Sequence, residues 1–305
     1  MKILLVEDSA VDQCRIGGFL KKWNLPFTAM DNGAKAWDLL QSPQAPDLLL
    51  VDWMLPGMDG LELCRNVRTL AANGNYIYTV MLTAKQNKAD LLTAMAAGAD
   101  DYLTKPVDAA DLRARIMVGK RIIELQQSLK FAATHDFLTH LLNRAEIMCT
   151  LRRELSRSER DRNPVSIALA DLDHFKGVND SLGHAAGDIV LKEVAHRLQS
   201  ELRPYDFVGR YGGEEFLLIL PSCPSTIAAR RADEVRGAVA SGAVISTFAK
   251  ISVTVSIGVV GTDLSPGCST EELLQLADDA LYRAKSKGRN RVETAVAGAT
   301  ASVTK

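Results

Sequence analysis

The chain has 305 residues, 47% of them hydrophobic and 24% charged, and its 36 basic and 37 acidic side chains leave a net charge of −1. At roughly 100–200 residues per domain that length divides into two domains, each able to bury its own core. The composition excludes a mainly disordered, collagen-like or disulfide-stapled chain, and the charge balance gives no footprint for a general nucleic-acid binder. The five cysteines, Cys14, Cys64, Cys149, Cys223 and Cys268, lie far apart with no CxxC or Cys/His cluster, so they read as inert thiols of a reducing compartment. MKILLVEDS reaches acidic residues at position 7 and lacks the apolar run of a signal peptide. No stretch approaches the roughly 18 apolar residues that span a bilayer. The expectation is a cytoplasmic protein with neither a membrane nor DNA as partner.

Apolar runs occur at 3–6, 47–52, 78–82 and 101–103, with helical stretches at Val11–Lys22, Gly33–Gln41, Leu61–Leu70 and Lys88–Ala97 between them. Strands alternating with helices of about 10 residues predict an α/β domain, a doubly wound parallel sheet of five strands. Ligands of such sheets bind beyond the carboxyl ends of the strands. There the sequence places Glu7 and Asp8, then Asp52, then Thr83, then Lys105 and Pro106. Three carboxylates at one sheet edge repel one another unless a cation sits among them, and hard oxygen ligands suit Mg²⁺. A hydroxyl and a lysine opposite suit a phosphoryl group on one carboxylate.

VEDS, PDLLLVDWMLPGMDGLEL, LTAK and GADDYLTKPVD together resemble a response-regulator receiver domain, flavodoxin-like in fold, over residues 1–120. The resemblance implies Asp52 as phosphoacceptor, with a cognate histidine kinase as partner. It implies Glu7, Asp8, Asp52 and the Met54 carbonyl as Mg²⁺ ligands, Thr83 and Lys105 as phosphoryl contacts, and Tyr102 as the switch aromatic. Phosphorylation adds a charge of about −1.5 to −2 and three strong acceptors, enough to draw Thr83 and Lys105 inward.

From Asp111 the sequence stays helical through LRARIMVGKRIIELQQSLKFAA, predicting a linker helix over 112–135 that continues the last receiver helix. Val118, Ile122, Leu125, Leu129 and Ala132 follow a 4, 3, 4, 3 spacing, an a/d seam for a parallel homodimer.

Beyond it, VSIALADLDHFKGVND opens as a buried strand, Val165–Ala170, ending in Asp171, Leu172 and Asp173. Strand-end carboxylates followed by Phe-Lys-Gly offer metal ligands, backbone N–H groups and a cation together, a set that suits a nucleoside triphosphate with Mg²⁺. GRYGGEEFLLIL reads as a β-hairpin whose glycines supply positive φ, with Glu214 and Glu215 opening the return strand.

Together with DFLTHLLNR, LGHAAGD and ALYRAKSKGRNRV, these segments resemble the GGDEF family, the diguanylate cyclases, over residues 136–294. The implied domain is α/β and similar to nucleotide cyclase catalytic domains. The resemblance implies Asp171, Glu214 and the Leu172 carbonyl as Mg²⁺ ligands, and Glu215 as assisting either the metal or the 3′-hydroxyl proton. It implies Asn179 and Asp188 for guanine, and Phe175, Lys176, Lys285 and Arg289 for the phosphates of GTP. The third signature position is glutamate rather than aspartate, which keeps the carboxylate. The implied reaction joins two GTP into cyclic di-GMP and two pyrophosphates, and one GTP per domain demands a dimer.

Arg203-Pro204-Tyr205-Asp206, with five residues between Asp206 and Gly212, resembles the family's inhibitory RxxD site for cyclic di-GMP. Arginine bonds guanine or phosphate bidentately and aspartate accepts from guanine N–H groups. A second arginine from the following helix would be Arg230, Arg231 or Arg236. Two other outputs compete: a catalytically dead module that only binds cyclic di-GMP, and a receiver acting through a protein partner. Loss of Asp171, Glu214, Lys285 or Arg289 would favour the first, and all four are present. The small, polar tail over 295–305 is expected to be disordered.

Overall fold

The computed structural model describes residues 1–72, 76–84, 88–245, 249–265 and 267–295. Two compact units divide the chain, Met1–Lys130 and Phe131–Lys305. In the first, β1 (Ile3–Val6), α1 (Ala10–Lys22), β2 (Phe27–Met30), α2 (Gly33–Leu40), β3 (Leu48–Asp52), α3 (Gly60–Ala72), β4 (Tyr78–Thr83), α4 (Lys88–Ala96) and β5 (Asp101–Thr104) alternate, and α5 (Ala109–Thr134) follows. The sheet is parallel, in the order β2-β1-β3-β4-β5.

Successive side chains of a strand face opposite ways, and both faces here are covered. Leu48 and Leu50 pack with Ile16, Leu112 and Ile116, while Leu49 and Val51 pack with Leu63, Val67 and Ala94 on the other side. This is why β3 reads as an unbroken apolar run. The second strand has no such run, because β2 is an edge strand paired only with β1, and Thr28 and Ala29 are exposed.

The boundary between the units falls inside α5. Ile116, Gly119 and Ile123 face inward in the first unit. The predicted seam lies elsewhere on the helix: Val118, Leu125 and Leu129 are 46%, 56% and 64% exposed, Ala132 is exposed and Ile122 half-buried.

The second unit contains α6 (Arg144–Asp161), β6 (Ser166–Leu172), α7 (Phe175–Leu182), α8 (His184–Ser200), β7 (Phe207–Arg210), β8 (Glu215–Leu220), α9 (Ser225–Ala240), β9 (Val244–Ile245), β10 (Lys250–Ile251), β11 (Val255–Gly261), α10 (Thr270–Ser286) and β12 (Val292–Thr294). Its main sheet runs β12-β11-β6-β8-β7, antiparallel except for the β11–β12 pair. Ala168 and Ala170 of the central strand pack toward Val190 and Val235, and Ile167 and Leu169 toward Leu151 and Leu273.

The hairpin is formed by β7 and β8, but the positive φ expected of its glycines is not found at Gly212 or Gly213. The connection is four residues long, Tyr211 to Glu214, and reverses the chain without the left-handed pair that a two-residue turn demands. A Cβ at Gly212 would meet the tip of the Glu215 side chain, so a larger residue there would displace that carboxylate. Ala295, assigned from the sequence to the tail, is buried and donates its N–H to the Val259 carbonyl at 2.8 Å. The rest of the predicted tail, 296–305, lies outside the described residues.

Candidate functional site

Each unit gathers acidic residues at the ends of its strands. In the first, Glu7 follows β1 and Asp52 ends β3; both are buried, and Asp8 beside them is exposed. Among the described residues they are the one trio of possible metal ligands whose oxygens all lie within 4.8 Å of one another. Lys105 Nζ stands 2.7 Å from Glu7 Oε2, 3.0 Å from Asp52 Oδ2 and 3.7 Å from Asp12 Oδ2. Burial pushes the Asp52 and Glu7 carboxyls up, with Lys105 opposing it and the neighbouring carboxylates adding to it. Burial works to lower Lys105, but its bonds to Glu7 and Asp52 carry the ammonium above its usual range. Such a converging, mutually repelling oxygen set fits a hard divalent cation. Thr83 is buried at the end of β4, one residue past the Asp52–Leu82 pair, and Tyr102 on β5 packs partly buried against the core. The Met54 side chain is 68% exposed in the loop after β3.

In the second unit Asp171 lies opposite Glu215 across the β6–β8 pair, and Leu172 N–H donates to the Glu214 carbonyl at 3.3 Å. Asp171 is 6% exposed and its Oδ2 is 2.9 Å from Lys285 Nζ, presented by the last turn of α10. Burial raises the Asp171 carboxyl, with Lys285 working against it. Glu214 and Glu215 are raised by burial and then by Asp171. Three carboxyls that disfavour one another's charge suit a cation between them, although their oxygens do not close into a trio as tight as the first. The hairpin loop that carries Glu214 is braced by Arg210, which donates to the Gly213 carbonyl at 2.8 Å and to Asp136 at 3.1 and 3.2 Å.

Phe175 and Lys176 open α7, where N–H groups precede the helical ladder and face outward for an anion. The Phe175 side chain is in the core, so its contribution to phosphate binding is confined to the backbone; Lys176 is exposed. Asn179 fills the space that a Cβ on Gly187 would occupy, which brings it beside the first turn of α8 and the exposed Asp188. Arg289 is exposed, in a turn after α10 at a left-handed φ of 62°.

The RxxD turn departs from expectation at Asp206. Its side chain is 1% exposed and points inward, with Oδ2 accepting from Arg231 Nη1 at 2.6 Å and from Arg203 N at 2.9 Å. Asp206 thus braces the turn through Oδ2, while its Oδ1 is buried with no hydrogen-bond partner among the described residues. Arg203 is exposed, with its Nη1 3.1 Å from the Tyr205 hydroxyl. Of the three candidate second arginines, Arg231 meets Asp206, Arg230 faces Glu234 at 4.0 Å, and Arg236 bonds Asp233 and Asn290. Arg203 and Asp206 line a cavity of about 350 Å³ with His135, His140 and Leu202.

Nothing in the sequence gives Asn290 a role, or Arg236 one outside the RxxD site, and Asp173 is read there only as one of the strand-end carboxylates that offer metal ligands. Their only sequence signal is adjacency to assigned residues. Among the described residues no helix is long and apolar enough to cross a membrane.

Residues 133–291 match the family described as diguanylate cyclase, GGDEF domain, and residues 3–117 the response regulator receiver domain. Response regulator PleD of Caulobacter vibrioides is 32% identical over 302 residues, which cover 95% of this chain and 65% of that protein. This chain thus spans under two thirds of that relative's length. Diguanylate cyclase DgcP of Pseudomonas aeruginosa is 37% identical over 186 residues, 58% of this chain and 27% of that one. Among solved structures, the coiled coil and GGDEF domain of DgcB from Caulobacter crescentus, in complex with c-di-GMP, aligns with a TM-score of 0.56 at 34% identity. It covers 61% of this chain and 98% of that one.

Proposed function

The chain belongs to the GGDEF family and carries a receiver domain ahead of it, and from that premise we propose that it condenses two GTP into cyclic di-GMP and two pyrophosphates under receiver control. The observation that carries the reading is Asp171, buried opposite Glu215 and bonded to Lys285 at 2.9 Å, with Glu214 in the adjoining loop. Mg²⁺ held by Asp171, Glu214 and the Leu172 carbonyl would supply charge neutralisation at the phosphates and a more acidic 3′-hydroxyl. Lys285, Arg289, Lys176 and the N–H groups opening α7 orient the triphosphate, so that the α-phosphorus is held for in-line attack. Asn179 and Asp188 bond the guanine edge. Glu215, paired across the strands with Asp171, would assist either the metal or the 3′-hydroxyl proton.

Each site holds one GTP, so two must face each other in a homodimer, and the exposed seam of α5 supports that pairing. A histidine kinase phosphorylating Asp52 would shift the dimer toward the productive arrangement, with Mg²⁺ held by Glu7, Asp8, Asp52 and the Met54 carbonyl. Product inhibition operates through Arg203, which is exposed at the RxxD turn, while the buried Asp206 shapes that turn.

The test is GTP turnover by the purified chain with Mg²⁺, with and without beryllofluoride, read as cyclic di-GMP by chromatography. Product that rises with beryllofluoride, and stops responding in Asp52→Asn, is the expected result. No product in either state after removal of bound cyclic di-GMP would overturn the enzyme reading.

A further inference from the structure

Beside its proposed metal ligands the second unit buries a carboxylate that the proposed chemistry does not use. Asp173 is 6% exposed and lies two positions after Asp171, yet its oxygens are engaged elsewhere. Oδ1 accepts from the Ser256 hydroxyl at 2.7 Å; Oδ2 accepts from the Thr254 hydroxyl at 2.7 Å and from the Asn290 backbone N–H at 3.0 Å. Its own N–H donates to the Thr254 carbonyl at 2.9 Å. An acceptor so fully engaged is a fastening, not a ligand.

What it fastens is the turn that carries Arg289. Gly288, Arg289 and Asn290 have φ of 109°, 62° and 45° in succession. Two non-glycine residues in the left-handed region persist only where surrounding contacts over-determine them. Arg289 N–H bonds the Ala284 carbonyl at 3.0 Å, the Asn290 backbone bonds Asp173, and the Asn290 side-chain Oδ1 accepts from Arg236 Nη1 at 2.9 Å. Arg236 is in turn oriented on α9 by Asp233, at 2.6 Å from its Nε.

We infer that Asp173 and Arg236 are positioning residues that clamp the 288–290 turn from two sides and thereby aim Arg289 at the triphosphate. The inference rests on the cyclase reading for the identity of the ligand. It assigns Arg236 to the GTP site rather than to the RxxD turn, whose buried arginine is Arg231.

Arg236 is half-buried, its side chain 22% exposed, so Arg236→Ala is expected to fold, with a melting temperature lowered by no more than a few degrees. Its affinity for a non-hydrolysable GTP analogue with Mg²⁺, measured by calorimetry, should fall about tenfold, the effect of misplacing Arg289 and so forfeiting one charge-assisted hydrogen bond to phosphate. The same substitution made on top of Arg289→Ala should weaken binding no further, because Arg236 acts only through Arg289. Asp173→Asn, which keeps the shape but removes an acceptor, should weaken binding in the same direction. Unchanged affinity in Arg236→Ala, or full multiplication of the two losses in the double variant, would overturn the clamp. Failure of the wild-type chain to bind the analogue at all would instead overturn the cyclase reading.

Discussion

At the scale of single residues, the RxxD turn separates two roles that the sequence presents as one pair. Arg231 and Asp206 are 8% and 1% exposed in their side chains and bond at 2.6 Å. Removing one partner of a buried pair leaves an uncompensated charge, so Arg231→Ala is expected to destabilise the second unit by about 3–5 kcal/mol. Arg203→Ala removes an exposed side chain; it should leave urea denaturation unchanged and relieve inhibition of turnover by cyclic di-GMP. A destabilised Arg203→Ala or a neutral Arg231→Ala would contradict this division. Asp136 offers a second case. Burial acts to raise its carboxyl, but the Thr139 hydroxyl and N–H and the Arg210 guanidinium outweigh it and hold the carboxyl below its ordinary range. A carboxyl lowered by folding contributes stability above the unfolded range and loses it as pH falls through the lowered value. Asp136→Asn should therefore cost about 1.5–3 kcal/mol at neutral pH. The gap to wild type should close only in acid below the ordinary carboxylate range, as thermal melts across pH will show.

At the scale of elements, α5 presents two apolar faces with different fates. Ile116, Gly119 and Ile123 are covered within the first unit, whereas Val118, Leu125 and Leu129 are not. Leu125 and Leu129 differ by four positions, one turn of a helix, so they share a face. Leu125→Glu with Leu129→Glu is expected to leave helix content and unit stability within about 0.5 kcal/mol, as for exposed positions. The same pair of substitutions should abolish dimer formation in sedimentation experiments and reduce cyclic di-GMP production in proportion. Retained dimers would place the contact between copies on another surface.

At the scale of the whole molecule, much was legible along the chain because its motifs are local. A carboxylate or lysine ending an apolar strand and a Gly-Gly hairpin are each written in a few adjacent residues. Glu7, Asp52, Lys105 and Asp171 could thus be named from strand ends and Glu214 from the hairpin, whereas Lys285 was named by the resemblance to the GGDEF family. Apolar patterning also ordered the buried strands β1, β3, β4 and β6, since covered strands carry unbroken apolar runs. Other features were decided by tertiary structure alone. The edge strand β2 escapes patterning because half its residues meet solvent. The direction of Asp206 depends on Arg231, 25 residues away, and a carboxylate's orientation leaves no mark on its own neighbours in sequence. Asp173 meets Asn290 across 117 positions, so its role as a fastening arises only once β6, β11 and the turn after α10 are side by side. Local chemistry determined which groups are available; packing decided which of them face a ligand and which hold the others in place.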